Sequence, residues 1–207
     1  QVLKSGITNN ARYGTVKPGV VKYKDQDGDG VITTADRTII GNAMPKWYGG
    51  FTNTFNYKGI DLSFMLQFNY GNDIYNATRM FNTQSQDERS NQLAEVADRW
   101  TPTHASNRVP SAKGYVKYEL YSRFIEDGSF LRLKNITLGY TFPNKWTRKA
   151  YINRLRVYGT AQNLFCLTKY SGYDPEVNMK SSPLMPGFDW GAYPKSRVFT
   201  FGVEVQF

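Results

Sequence analysis

The chain has 207 residues, 40% hydrophobic and 21% charged, a balance that excludes a disordered tail; no stretch approaches the ~20 apolar residues of a membrane helix. Lys and Arg outnumber Asp and Glu 26 to 17, for a net charge of +9, but the charges are scattered and no nucleic-acid partner is expected. One cysteine, Cys166, and one histidine, His104, exclude an internal disulfide, a cysteine zinc site and a histidine-rich metal site. Aromatic residues at 15%, with 18 glycines, favour an all-β chain. Gln1 is neither an initiating Met nor the start of a signal-like segment, so the expectation is a chain that begins inside a longer gene product or after processing.

Residues 1–46 are polar and turn-rich, with one apolar patch at Val20, Val21 and Tyr23. They contain DQDGDGVITTAD, Asp25 to Asp36, which fits a calcium-loop pattern. Carboxylates at loop positions 1, 3 and 5 (Asp25, Asp27, Asp29) converge, and Gly30 permits the sharp turn. The Val31 carbonyl adds an oxygen, and Asp36 at position 12 closes the cage. Asp36 stands where a longer Glu is usual, as in dockerin-type loops. The expected cofactor is a structural Ca²⁺; the plainer reading is an acidic turn, since Asp-Gly is turn chemistry.

Strands follow. In 47–57, Trp47, Phe51, Phe55 and Tyr57 share one parity. In 60–70, Ile60, Leu62, Phe64, Leu66, Phe68 and Tyr70 oppose Asp61, Ser63, Met65, Gln67 and Asn69. Lys58-Gly59 between them reads as a hairpin turn. Residues 71–129 lose this period, and Leu93, Val96, Ala97 and Trp100 predict a short helix near 87–100, ended by Thr101-Pro102. Alternation returns in 130–142, in 154–165 and in 197–207. In the last of these, Phe199, Phe201, Val203, Val205 and Phe207 share a face.

Five strands near the ~9–11 residues of a tilted membrane crossing, with Asn, Gln, Thr, Ser and Gly on one face, favour a transmembrane barrel. Aromatics at strand ends (Trp47, Tyr57, Tyr70, Tyr140, Phe142, Trp146, Phe165 and Phe207) suggest the two interface girdles. Short and long connections alternate. With a periplasmic C-terminus, residues 24–46, 71–129 and 166–196 lie outside. Residues 1–46 then form an extracellular region carrying the calcium loop, and 47–207 the barrel strands. Five strands leave two open edges, which hydrocarbon does not tolerate, so the rest of the barrel is expected in the same protein.

No catalytic constellation appears, and no enzyme is expected. His104 sits in a polar loop, and Cys166 follows a strand end as an inert thiol. Asp61, Glu204 and Gln206 fall on the polar faces as solvated lumen residues. Tyr170, Tyr173, Phe188, Trp190 and Tyr193 crowd the last outer loop, where they pack, stack on sugars or meet a lid.

Five segments resemble the C-terminal end of the SusC/RagA family of TonB-linked outer-membrane transporters of the Bacteroidetes: residues 20–51, 97–112, 122–143, 155–177 and 191–207, in the family's order. The specific ones are FIEDGSFLRLKNITLGYTFP and AYPKSRVFTFGVEVQF. The resemblance implies an all-β fold: the C-terminal antiparallel strands of a large plugged barrel of the 22-stranded class, with long extracellular loops. It implies import of oligosaccharides or peptides across the outer membrane, a SusD-like surface lipoprotein as partner, and energy from the TonB complex through an N-terminal part. Residues 199–207 resemble an outer-membrane assembly signal ending in Phe207. The alternative is a soluble secreted β-domain with a dockerin-like calcium loop, acting as a binding or scaffolding module.

Overall fold

The computed structural model describes residues 5–84, 91–116, 119–177 and 186–207. In chain order the strands are β1 (Thr8–Asn9), β2 (Val31–Ile32), β3 (Trp47–Tyr57), β4 (Ile60–Tyr70), β5 (Asp73–Asn76), β6 (Ile125–Asp127), β7 (Phe130–Thr141), β8 (Arg154–Thr168), β9 (Phe188–Asp189) and β10 (Val198–Gln206). The helices are α1 (Ala77–Thr83) and α2 (Asn144–Thr147), with 3₁₀ turns between. Two compact units take interleaved stretches: Gln1–Gly41, Tyr75–Ile125 and Asp189–Gly191 in one, Asn42–Ile74, Glu126–Phe188 and Ala192–Phe207 in the other.

The second unit is built on a five-stranded sheet of order β10-β8-β7-β4-β3, with every pairing antiparallel. It is a meander in sequence order with all insertions in the connections. The register lines up the alternation of each strand. Phe55, Leu62, Leu138, Gly159 and Phe201 form one row, and Tyr57, Ile60, Tyr140, Val157 and Val203 the next. One face is therefore continuously apolar and the other carries Asn, Thr, Ser and Gly. The apolar face is uncovered: Leu138 is 56% exposed and Phe201 85%. A soluble sandwich would bury that face against a second sheet.

One irregularity keeps the faces in phase, and a second lies opposite it on the next strand. Leu131 and Leu133 share a parity that Ile136, Leu138 and Tyr140 do not. Lys134 is passed over in the pairings with both neighbours, a bulge that returns both groups to one face. Opposite it the pairing passes over two residues of β8, Asn163 and Leu164, so Ala161 and Phe165 keep one parity and one face. Asn163 has φ of 52°, a left-handed geometry that Asn tolerates. Its side-chain amide donates to the Ser196 carbonyl at 3.1 Å. β7 ends at Thr141, and β8 runs on past Phe165 to Thr168.

The first unit has an aromatic interior. Tyr13 meets Tyr23 edge-on at 5.3 Å, Tyr23 leans on Tyr121, and Tyr121 packs on Tyr115 and Phe124. The Tyr121 hydroxyl accepts from the Val116 amide at 2.7 Å and donates to its carbonyl at 3.0 Å. Burial pushes the Tyr121 phenol far above its usual range, and the Tyr23 hydroxyl adds to the shift. The helix expected near 87–100 is instead a 3₁₀ turn over Ala94–Asp98; positions 87–90 lie outside the described residues. Leu93 and Arg99 flank this turn in extended conformation, so the helical spacing of the apolar residues never extends beyond a short turn. The α-helix of this region, α1, lies earlier and is capped by the Asn76 side chain accepting from Arg79 N. No helix among the described residues is long and apolar enough to cross a membrane, which says nothing of strands.

Candidate functional site

The acidic loop is held at its base by backbone and charge. β1 pairs with β2 in parallel, the Gly30 carbonyl accepting from Thr8 N and the Ile32 carbonyl from Asn10 N, each at 3.0 Å. Strand alternation turns the intervening Val31 carbonyl away from β1. Beyond the loop, Arg37 grips Glu119 through Nη2 at 2.8 Å from Oε2, and Arg12 grips the same carboxylate at 2.7 Å. One largely buried Glu thus ties down residues before and after the loop.

Within the loop, Asp25, Asp27 and Asp29 each offer an oxygen, and these atoms lie within 4.8 Å of one another. Asp25 also accepts from Gly28 N at 2.7 Å and Gly30 N at 2.9 Å. Both glycines have φ near +80° (81° and 82°), a conformation that side chains resist. Asp29 accepts from Val31 N at 2.7 Å. Asp36 stands apart from this trio. Its Oδ1 accepts from Gln26 N and its Oδ2 from Thr33 N, both at 2.7 Å. The Thr33 amide, then that of Gln26, holds its carboxyl below the usual carboxylate range. Asp36 therefore clamps the two ends of the loop together.

On the polar face of the sheet, near the Lys58-Gly59 hairpin, Arg156 meets Asp61 through two parallel bonds, Nε–Oδ1 at 3.0 Å and Nη2–Oδ2 at 2.6 Å. Glu204 lies 3.5 Å from Nη1, and the guanidinium sits over the Tyr158 ring at 4.9 Å. Asp61, expected as a solvated lumen residue, is a bidentate ion-pair partner across β4, β7 and β8. Gly139 makes room for it: a Cβ there would meet both Asp61 oxygens at 2.6 Å.

At the opposite end of the same face, Arg132 is buried. Its Nη2 donates to Asp174 Oδ1 at 2.6 Å, and its Nε lies 2.9 Å from Glu176 Oε2. Lys195 Nζ reaches Glu176 Oε2 at 2.6 Å, and Gln67 donates to Glu176 Oε1 at 3.3 Å. This cluster pins the segment after β8 onto the polar face. The only trace of it in the sequence is a charge inside the apolar run FLRLK; its partners lie more than 40 residues away.

The remaining candidates are ordinary. His104 pairs with Asp98 at 3.1 Å in an exposed turn. Cys166 is free and half-buried, and it lies inside β8 opposite Arg132 rather than after a strand end. Tyr170 is buried with Ile74 and Val177, whereas Tyr173 and Tyr193 are exposed. Trp190 stacks edge-on against Phe81 at 5.6 Å.

No family model matches the chain. A TonB-dependent receptor of Formosa agariphila is 36% identical over 199 residues, 94% of this chain and 20% of that protein. The TonB-dependent receptor SusC of Bacteroides thetaiotaomicron is 32% identical over 192 residues, 92% of this chain and 18% of that protein. The RagAB peptide importer in its open-open state superposes with a TM-score of 0.73 and 27% identity, over 92% of this chain and 21% of that one. The chain thus spans about a fifth of the length of the relatives it matches. Those relatives are receptors and transporters, not enzymes. Sequence similarity over more than nine-tenths of its length, joined to an antiparallel sheet shared with transporter barrels, places the chain in the SusC/RagA family of TonB-dependent receptors.

Proposed function

We propose that the chain supplies part of the wall and outer loops of a TonB-dependent outer-membrane importer of oligosaccharides or peptides. The observation that carries this reading is the five-stranded sheet itself, with one uncovered apolar face and one polar face. Its strands of 9 to 15 residues are long enough to cross a ~30 Å hydrocarbon core with tilt. β3 and β10 each have one neighbour in the sheet, and the unmatched four-fifths of its relatives' length is ample to close both edges. The apolar face meets lipid and the polar face lines the lumen. A large plugged barrel, a periplasmic C-terminus, a SusD-like lipoprotein partner and coupling to TonB through an N-terminal part complete the reading by family likeness.

Two site assignments accompany it. The acidic loop holds a structural calcium ion, with Asp25, Asp27, Asp29 and the Val31 carbonyl as an all-oxygen donor set. Asp36 joins by releasing one of its two backbone donors. Phe199, Phe201, Val203, Val205 and Phe207 form the alternating signal read during barrel assembly. The test of the main reading is fractionation of the full-length protein. It is expected in the outer membrane, dependent on detergent for extraction and heat-shifted on gels, and its disruption is expected to abolish uptake of its oligosaccharide or peptide substrate. A protein soluble without detergent would overturn the reading.

A further inference from the structure

The hairpin end of the sheet carries a feature the transport reading does not use. On the apolar face, Gly159 sits between Leu138 and Phe201, leaving a gap where every neighbouring position has a side chain. The gap opens into a groove of about 650 Å³, walled by Ile60, Tyr140, Val157, Leu138, Phe201 and Val203. That volume falls in the range of small-ligand pockets. Phe201 overhangs it: a Cβ on Gly159 would meet the ring at 3.3 Å.

Immediately beyond the groove the chain turns back. Phe142 N donates to the Leu155 carbonyl, two residues past the Tyr140–Val157 pair, or ~7 Å along the strands. From 143 to 153 the sequence PNKWTRKAYIN contains Lys145, Arg148 and Lys149 and no acid. All three are exposed. The turn is a defined object: α2 runs into a 3₁₀ turn over Arg148–Ala150, and Tyr151 closes it with φ of 58°. Ile152 N donates to the Thr147 carbonyl, and Asn153 N to that of Gln206. On the neighbouring hairpin, Lys58 lies over the Tyr57 ring at 5.1 Å, next to Ile60 of the groove. None of these four cations forms an ion pair with a described residue, whereas Arg12, Arg37, Arg79, Arg123, Arg132 and Arg156 all do. Tyr57, Trp146 and Tyr151 stand exposed among them.

We propose that this end of the wall binds one anionic glycerophospholipid. Its headgroup phosphate sits among Lys58, Lys145, Arg148 and Lys149. Trp146, Tyr57 and Tyr151 lie at the level of the glycerol esters, where amphipathic rings are stable. One acyl chain fills the groove over Gly159. Charge complementarity selects the lipid: four unpaired cations beside an apolar groove at the rim of a lipid-facing sheet repel one another and are relieved by a phosphodiester. A zwitterionic headgroup brings its own cation and gains less.

The inference rests on the wall reading, and the test separates the two. Full-length protein is delipidated in mild detergent, offered phosphatidylglycerol or phosphatidylcholine, and weighed intact by native mass spectrometry. The wild type is expected to retain phosphatidylglycerol in preference. The variant Lys145→Gln/Arg148→Gln/Lys149→Gln is expected to retain one phosphatidylglycerol fewer and to leave phosphatidylcholine retention unchanged. Gly159→Leu, which fills the groove, is expected to lose the same lipid while keeping the heat-shifted mobility of a folded barrel. Equal retention of phosphatidylglycerol by the wild type and both variants overturns the proposal, as does release of lipid A instead of a phospholipid from the native protein. A protein that needs no detergent overturns the wall reading itself.

Discussion

Arg132 and Asp174 meet at 2.6 Å with both side chains almost wholly buried, 5% and 7% exposed. Removing one partner of such a pair strands the other charge in a poorly solvated place, which typically costs about 3–5 kcal/mol. Asp174→Ala is expected toward the low end of that range, because Glu176 remains 2.9 Å from Arg132. The segment after β8 is expected to detach from the polar face. Limited proteolysis of the full-length protein is expected to cut the variant between residues 169 and 177 and to spare the wild type there.

Glu95 gives a pH dependence. Arg79 grips it through Nε at 2.7 Å and Nη2 at 2.8 Å, with Arg123 at 3.2 Å. The Arg79 bonds hold its carboxyl below the usual glutamate range. The folded value lies below the unfolded one, so the contribution is present above the ordinary glutamate value and is lost as pH falls through the folded value. The pair is partly exposed, and about 1 kcal/mol is expected. The protection factor of the Gln84 amide, whose N–H bonds the Met80 carbonyl at the end of α1, taken against an unstructured peptide at the same pH, is expected to fall several-fold on acidification. Glu95→Gln is expected to show the lowered protection already at neutral pH, with little further change in protection in acid.

Calcium binding is expected to show as heat in calorimetry at millimolar Ca²⁺, and as an anomalous scatterer with six or seven oxygens at ~2.3–2.6 Å. Asp25→Ala/Asp29→Ala is expected to abolish both. Asp36→Asn is expected to weaken binding less, since its carboxylate bonds the Gln26 and Thr33 amides. If the wild type gives neither heat nor density, the loop is a turn.

Phe207 is exposed just past β10. Phe207→Ala in the full-length protein is expected to lower its outer-membrane level several-fold, measured by surface labelling against total protein. Unchanged surface abundance would leave Phe207 as an interface anchor only.

The five strands were legible because strict alternation over about ten residues has few other physical meanings. Trp47–Tyr57 and Ile60–Tyr70 form strands over the whole of their alternating runs. The bulge at Lys134 and the two-residue skip at Asn163 and Leu164 opposite it were not, since a skipped residue is defined only by a partner strand. The acidic spacing brought out Asp25, Asp27 and Asp29 as a cluster, but the use of Asp36 as a backbone clamp depends on where Gln26 and Thr33 fall. Leu93, Val96, Ala97 and Trp100 misled, because helical spacing over so few residues is equally served by a 3₁₀ turn and its extended flanks. Arg132 gave a hint as a charge in an apolar strand, yet its partners come from a connection whose path no local pattern specifies.

The central claim is that the row through Leu62, Leu138 and Phe201 faces lipid while the alternate row faces water. Nitroxide labels placed one at a time at 136, 137, 138 and 139 of the full-length protein in lipid bilayers, with Cys166 replaced by Ser, test it directly. Labels at 136 and 138 are expected to collide chiefly with oxygen, and labels at 137 and 139 with a water-soluble paramagnetic reagent. Equal access of the water-soluble reagent to all four positions would contradict a lipid-facing wall.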